Sequence, residues 1–192
     1  MTYKMLLYTV IVIALYLEIF AHSGFQPGAF LYFTVQSNML VALHLLLSIV
    51  LAKQSRVECL FRGITLYAII ITGIIYNFVL YKIYLDWGTP IYSFSRTITH
   101  LVSPIGFFLD WLLFDSHGRM KWKDLLTWAV YPLAYCLILL AIGSTTGFSL
   151  YSFLDTSHGY IMLIKRLGYM SFGLLIVGVL TICLDKILRL SK

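Results

Sequence analysis

A threonine hydroxyl becomes a nucleophile only when a base removes its proton, and an imidazole is the side chain best suited to that task near neutral pH. The chain offers such a pair, Thr34 and His100, each inside a long apolar run. In LYFTVQSNMLVALHLLLSIVLA, Leu31 to Ala52, four hydrogen-bonding side chains crowd the first third: Thr34, Gln36, Ser37 and Asn38. At about 100° per residue, Thr34, Ser37, Asn38, His44 and Ser48 fall on one face of a helix, and Gln36 points away. In SRTITHLVSPIGFFLDWLLF, Ser95 to Phe114, Thr97, His100, Ser103 and Pro104 share a face. Hydrocarbon gives such stripes no partner, so both must face protein or a wet cavity. Two uses are open for them. One is hydrogen bonding between packed helices, with a neutral, satisfied histidine. The other is base-assisted nucleophilic chemistry, with Ser37 and Asn38 orienting the pair or helping to bind an oxyanion.

Other polar groups fit that chemistry less directly. Asp110 follows His100 by ten residues, about 15 Å along a helix, too far to complete a triad; Lys121 or Lys123 are its expected partners. His44 lies deep in its helix and reads as structural, and His117 reads as a solvated loop residue. The stretch LYSFLDTSHGY contributes Tyr151, Asp155 and His158, candidates to contact a substrate or to close the site from above.

The elements that must hold these residues are apolar helices. The chain has 192 residues, 60% hydrophobic and 11% charged, against about 25% charged in soluble domains. Its mean hydropathy is +0.89. Six runs are long enough to cross a ~30 Å hydrocarbon core: about 5–21, 31–52, 63–84, 95–114, 125–142 and 161–184. The reading is an all-α, polytopic membrane protein, a single six-helix transmembrane domain over residues 1–192. KQSRVECLFR and DSHGRMKWKD read as basic loops, and Pro104 deprives the carbonyl of His100 of its helical donor. The three cysteines show no paired spacing, and neither a disulfide framework nor a metal site is indicated.

Orientation follows from charge. Of the 14 Lys and Arg residues, 10 lie at Lys4, in the two basic loops or at the C-terminus, and 4 lie on the other side. The excess of basic residues on one side places both termini in the cytoplasm, and explains a net charge of +6 without nucleic acid. Thr34 and His100 then sit at matched depth, roughly 5–10 Å below the outer ends of helices running in the same direction.

FTVQSN at Phe33–Asn38, HLVSP followed by DW between His100 and Trp111, YPLAY at Tyr131–Tyr135 and YSFLD at Tyr151–Asp155 occur in an order that resembles a known family. It is that of the androgen-induced and FAR-type six-helix membrane proteins, which includes the androgen-dependent TFPI-regulating protein and small bacterial relatives. The resemblance implies an intramembrane threonine hydrolase that cleaves fatty acid esters of hydroxy fatty acids or similar lipid esters. Thr34 would match the nucleophile and His100 the histidine, with no cofactor. The animal proteins have one more residue between the histidine and the proline, and an acidic residue where this chain has Ser37. The implied partners are membrane lipids and a lipid ester, and the bacterial relatives imply a plasma membrane. The rival expectation is a non-catalytic lipid or small-molecule binder, or a transporter, built on the same polar face.

Overall fold

A computed structural model describes residues 1–20, 24–51, 55–80, 93–156 and 159–190. Among them there is no strand, and six helices are long and apolar enough to cross a membrane. They are α1 (Thr2–Ile19), α2 (Phe33–Leu51), α3 (Arg56–Leu80), α4 (Phe94–Phe114), α5 (Asp124–Thr146) and α6 (Tyr160–Leu190). The protein is an all-α, multi-pass integral membrane protein. Contacts divide it into two compact units, Met1–Ser116 and His117–Lys192.

The first unit holds α1 to α4. A short 3₁₀ turn, Pro27–Leu31, leads into α2, with the proline at the position where a missing N–H costs nothing. Ser55 caps α3 by accepting from the Glu58 N–H at 3.1 Å. This cap corrects the sequence expectation of a basic loop. Arg56, Glu58 and Arg62 are helical, and Arg62 is buried among carboxylates. Two glycines let the helices approach closely. A Cβ at Gly73 of α3 would lie 3.0 Å from Pro104 Cβ of α4, and one at Gly106 would lie 2.7 Å from Leu7 Cδ1 of α1. Tyr3 of α1 donates its hydroxyl to the Gly106 carbonyl at 2.7 Å.

Two helices of this unit change pitch. The last part of α3, Ile75–Leu80, and the middle of α4, Ile98–Val102, are π-helical, with bonds reaching five residues back instead of four. In α4 the Ser103 N–H bonds the Ile98 carbonyl, and the next residue is Pro104, which has no N–H.

The second unit holds α5 and α6, joined through a 3₁₀ turn at Ser152–Leu154. Its entry segment is tied to α6 by Asp185. That carboxylate accepts the Met120 N–H at 3.0 Å, and the Asp185 carbonyl accepts the Gly118 N–H at 3.0 Å. His117, expected to be solvated, has a side chain only 1% exposed, 3.6 Å from Asp185. The fold of this segment onto its own helix removes it from water.

Candidate active site

The site is built where α2, α3 and α4 meet, around the π turn of α4. Thr34 Oγ1 lies 3.1 Å from His100 Nε2. The other ring nitrogen, Nδ1, lies 3.0 Å from the Arg96 carbonyl and 3.0 Å from Thr99 Oγ1. A carbonyl can only accept, so Nδ1 carries the proton, and Thr99 spends its own proton on the Ser95 carbonyl at 2.9 Å. In the neutral ring Nε2 is then the acceptor, facing the Thr34 hydroxyl. The second-partner position that a carboxylate fills in a triad is taken here by a backbone carbonyl and a hydroxyl.

The ring is also held by its faces. Tyr76, in the π-helical end of α3, stacks on the imidazole with centroids 3.6 Å apart and planes at 27°. Both rings are buried. The stack fixes the plane of the imidazole, and the electron-rich face of the phenol favours a positive charge on it.

The backbone beneath the histidine is held by two asparagines. With Pro104 offering no donor at the change of pitch, the carbonyls of Thr99 and His100 turn to side chains. Asn38 Nδ2 donates to the Thr99 carbonyl at 3.0 Å, and Asn77 Nδ2 to the His100 carbonyl at 3.0 Å. The same Asn38 amide donates to the Thr34 carbonyl at 2.8 Å, and that of Asn77 to the Gly73 carbonyl at 2.7 Å. One amide group thus spans the helix of the hydroxyl and the helix of the imidazole. Ser37 Oγ lies 3.1 Å from the Thr34 carbonyl and 2.8 Å from Thr72 Oγ1, joining α2 to α3.

Of the residues singled out in the sequence, Thr34, His100, Ser37 and Asn38 come together. Both N–H groups of Asn38 are spent on carbonyls, so it orients the pair and has no donor left for an oxyanion. Tyr151 and Asp155 belong to the second unit. Tyr151 stacks on Phe153 at 5.0 Å and accepts from Tyr135 at 3.5 Å, and Asp155 is half-buried at the end of the 3₁₀ turn. His158 lies outside the described residues.

The sequence reading placed Thr97 beside His100, but Thr97 bonds its own helix at the Ser93 carbonyl, and Thr99 is the fully buried partner. The π turn packs an extra residue into one turn and rotates the preceding residues off the regular helical wheel. Asn77 was missed for the same reason on α3. Asp110 bonds Lys4 and Arg62, both at 3.1 Å; Lys121 and Lys123 are not the partners found. Glu18 of α1 accepts from Ser95 Oγ at 2.6 Å, one turn from Thr99. Among the described residues no group of three or more His, Cys, Asp or Glu is arranged to hold a metal ion. Compared with family models, with curated proteins and with solved structures, the chain matches none.

Proposed function

We propose that this protein is an intramembrane hydrolase of lipid esters, in the manner of the androgen-induced and FAR-type family whose motifs it resembles. The observation that carries the reading is the 3.1 Å approach of Thr34 Oγ1 to the acceptor nitrogen of His100, with the opposite nitrogen held by the Arg96 carbonyl. Pairs within about 2.6–3.2 Å are within proton-transfer reach.

In this reading Thr34 Oγ1 attacks the ester carbonyl as Nε2 takes its proton. The imidazolium so formed is favoured by the Tyr76 face and by the Nδ1–H bond to the Arg96 carbonyl. The tetrahedral oxyanion meets the backbone N–H groups of Thr34 and Val35, which lie in the first turn of α2 and have no helical carbonyl to bond. Nε2 then returns the proton to the leaving alcohol, and an acyl-threonine remains. Water, deprotonated by the same nitrogen, attacks the acyl carbon, and its proton passes through Nε2 back to Thr34 as the carboxylic acid leaves. The acyl chains lie among the apolar helices at the depth of Thr34. By the distribution of basic residues that depth belongs to the outer leaflet, with both termini cytoplasmic, and the proposed location is a plasma membrane.

The test is acyl-enzyme trapping. Purified full-length protein is incubated with a panel of fatty acid esters of hydroxy fatty acids and simpler lipid esters, quenched in acid and digested. An acyl adduct on Thr34 in the wild type, absent in His100→Ala, is the expected result. No turnover above Thr34→Ala/His100→Ala across the panel would sink the hydrolase and leave a binder.

A further inference from the structure

Glu18 stands where its own helix gives a carboxylate no support. It lies half-buried in the last turn of α1, the end at which helical carbonyls lack donors and the dipole disfavours negative charge. Its bond goes to another helix. Ser95 Oγ, in the first turn of α4, donates to Glu18 Oε1 at 2.6 Å, the length of a hydroxyl bonded to a charged carboxylate. The first turn of a helix is the end that favours an anion. Among the described residues of the first unit, the other acids, Glu58, Asp110 and Asp115, gather around Arg62 at the opposite end.

The turn that Glu18 grips is the one that holds the imidazole. The Ser95 carbonyl accepts the Thr99 hydroxyl at 2.9 Å, which leaves Thr99 Oγ1 to face His100 Nδ1 at 3.0 Å. The Arg96 carbonyl, next along the chain, accepts from the same Nδ1 at 3.0 Å. Ser93 Oγ caps this turn by accepting the Arg96 N–H at 3.3 Å, and lies 3.2 Å from Ser95 Oγ. Both acceptors of the Nδ1 proton are therefore set by Ser95 and Arg96, and the carboxylate ties that segment to α1. No proton travels this route, because the link inside Ser95 is covalent. What reaches the ring is position and charge. Arg96 stands four residues before His100, and two cations at that spacing on a helix repel. A carboxylate bonded to the preceding residue offsets that repulsion as the imidazolium forms.

We propose that Glu18 is a positioning residue for the reaction at Thr34. Through Ser95 it holds the acceptors of the His100 Nδ1 proton in place, and it supplies negative charge that favours the imidazolium. The inference rests on the hydrolase reading, and the two fail separately.

Full-length wild type, Glu18→Gln, Ser95→Ala and the double variant are compared in nanodiscs. The measurements are kcat and KM on an ester that the wild type turns over, thermal unfolding, and the Nδ1–H resonance of His100 in protein carrying isotope-labelled histidine, assigned by its loss in His100→Ala. Glu18→Gln keeps an acceptor of the same shape for Ser95 and removes only the charge. It should lower kcat about tenfold, as expected for a unit charge roughly 10 Å away at an effective dielectric of about 20. KM and the melting temperature should stay nearly unchanged, and the Nδ1–H resonance should move. Ser95→Ala leaves the carboxylate in place and should lower kcat by a similar factor, with the double variant no worse than either single. Wild-type kcat in Glu18→Gln, a loss of kcat that only tracks a lowered melting temperature, or an Nδ1–H resonance unmoved in both single variants would overturn the proposal. If no ester is turned over but the resonance moves in Glu18→Gln and Ser95→Ala, the hydrolase reading falls and Glu18 stands as the anchor of the imidazole.

Discussion

His100 shows how much of a residue's behaviour is set by what holds it. Its ring is fixed at Nδ1 by a carbonyl, on one face by Tyr76, and through its own backbone carbonyl by Asn77. Thr34→Ala and His100→Ala should each lower ester turnover by about 10²–10⁴-fold, and the double variant should be no worse than either, because the two groups act as one unit. Thr34→Ser should retain part of the activity. Asn77→Leu removes the donor on which the His100 carbonyl relies, and should cost about 1–3 kcal/mol in detergent melting, with a larger proportional loss of turnover. Tyr76→Phe should keep turnover near wild type, and Tyr76→Leu should reduce it. Thr34, His100, Ser37 and Asn38 were legible in the sequence because polar side chains stand out in apolar helices. Thr99 and Asn77 were not, since each lies in a π turn and the regular wheel assigns it to the wrong face.

At the scale of the helix, the decisive residue is Pro104. The sequence showed that it frees a carbonyl; it did not show that the pitch changes there, or that two asparagines from neighbouring helices answer the two carbonyls left over. Pro104→Ala restores an N–H that competes with Asn38 and Asn77. The expected outcome is a melting temperature equal to or above that of the wild type, with turnover lost as the π turn relaxes. Gly73→Ala tests the same contact from α3. Its Cβ would press on Pro104, and about 1–3 kcal/mol of overpacking cost is expected in thermal unfolding. The other end of the helices behaves differently. Asp110→Asn takes from Lys4 its carboxylate partner and from Arg62 one of three in a buried cluster, and should cost about 3–5 kcal/mol without a specific effect on chemistry. Arg62 was read as a loop cation because positive charge near a span end signals topology; its carboxylate partners come from α3 and from the far end of α4, a pairing that linear sequence does not reveal.

At the scale of the molecule, the six spans were the most legible feature. A bilayer demands about 20 apolar residues per helix, and that demand is written along the chain without regard to tertiary detail. The helix ends were less legible, as α3 begins at Arg56, before the apolar run, once Ser55 provides its cap. The proposed orientation is checked by cysteine accessibility, with single cysteines at Ser116 and Ser149 expected to be labelled from opposite faces of a sealed vesicle. The π turn of α4 has a further consequence, because it behaves as a one-residue insertion in an otherwise regular helix. Deleting Leu101 should return Phe94–Phe114 to uniform pitch and leave a span of ample length. It would also turn the segment before the deletion by about 100° against the segment after it. The number of residues between Arg96 and Pro104 is therefore itself a functional quantity. A chain one residue shorter at this point would still insert and fold as a membrane protein, with its imidazole facing away from the hydroxyl.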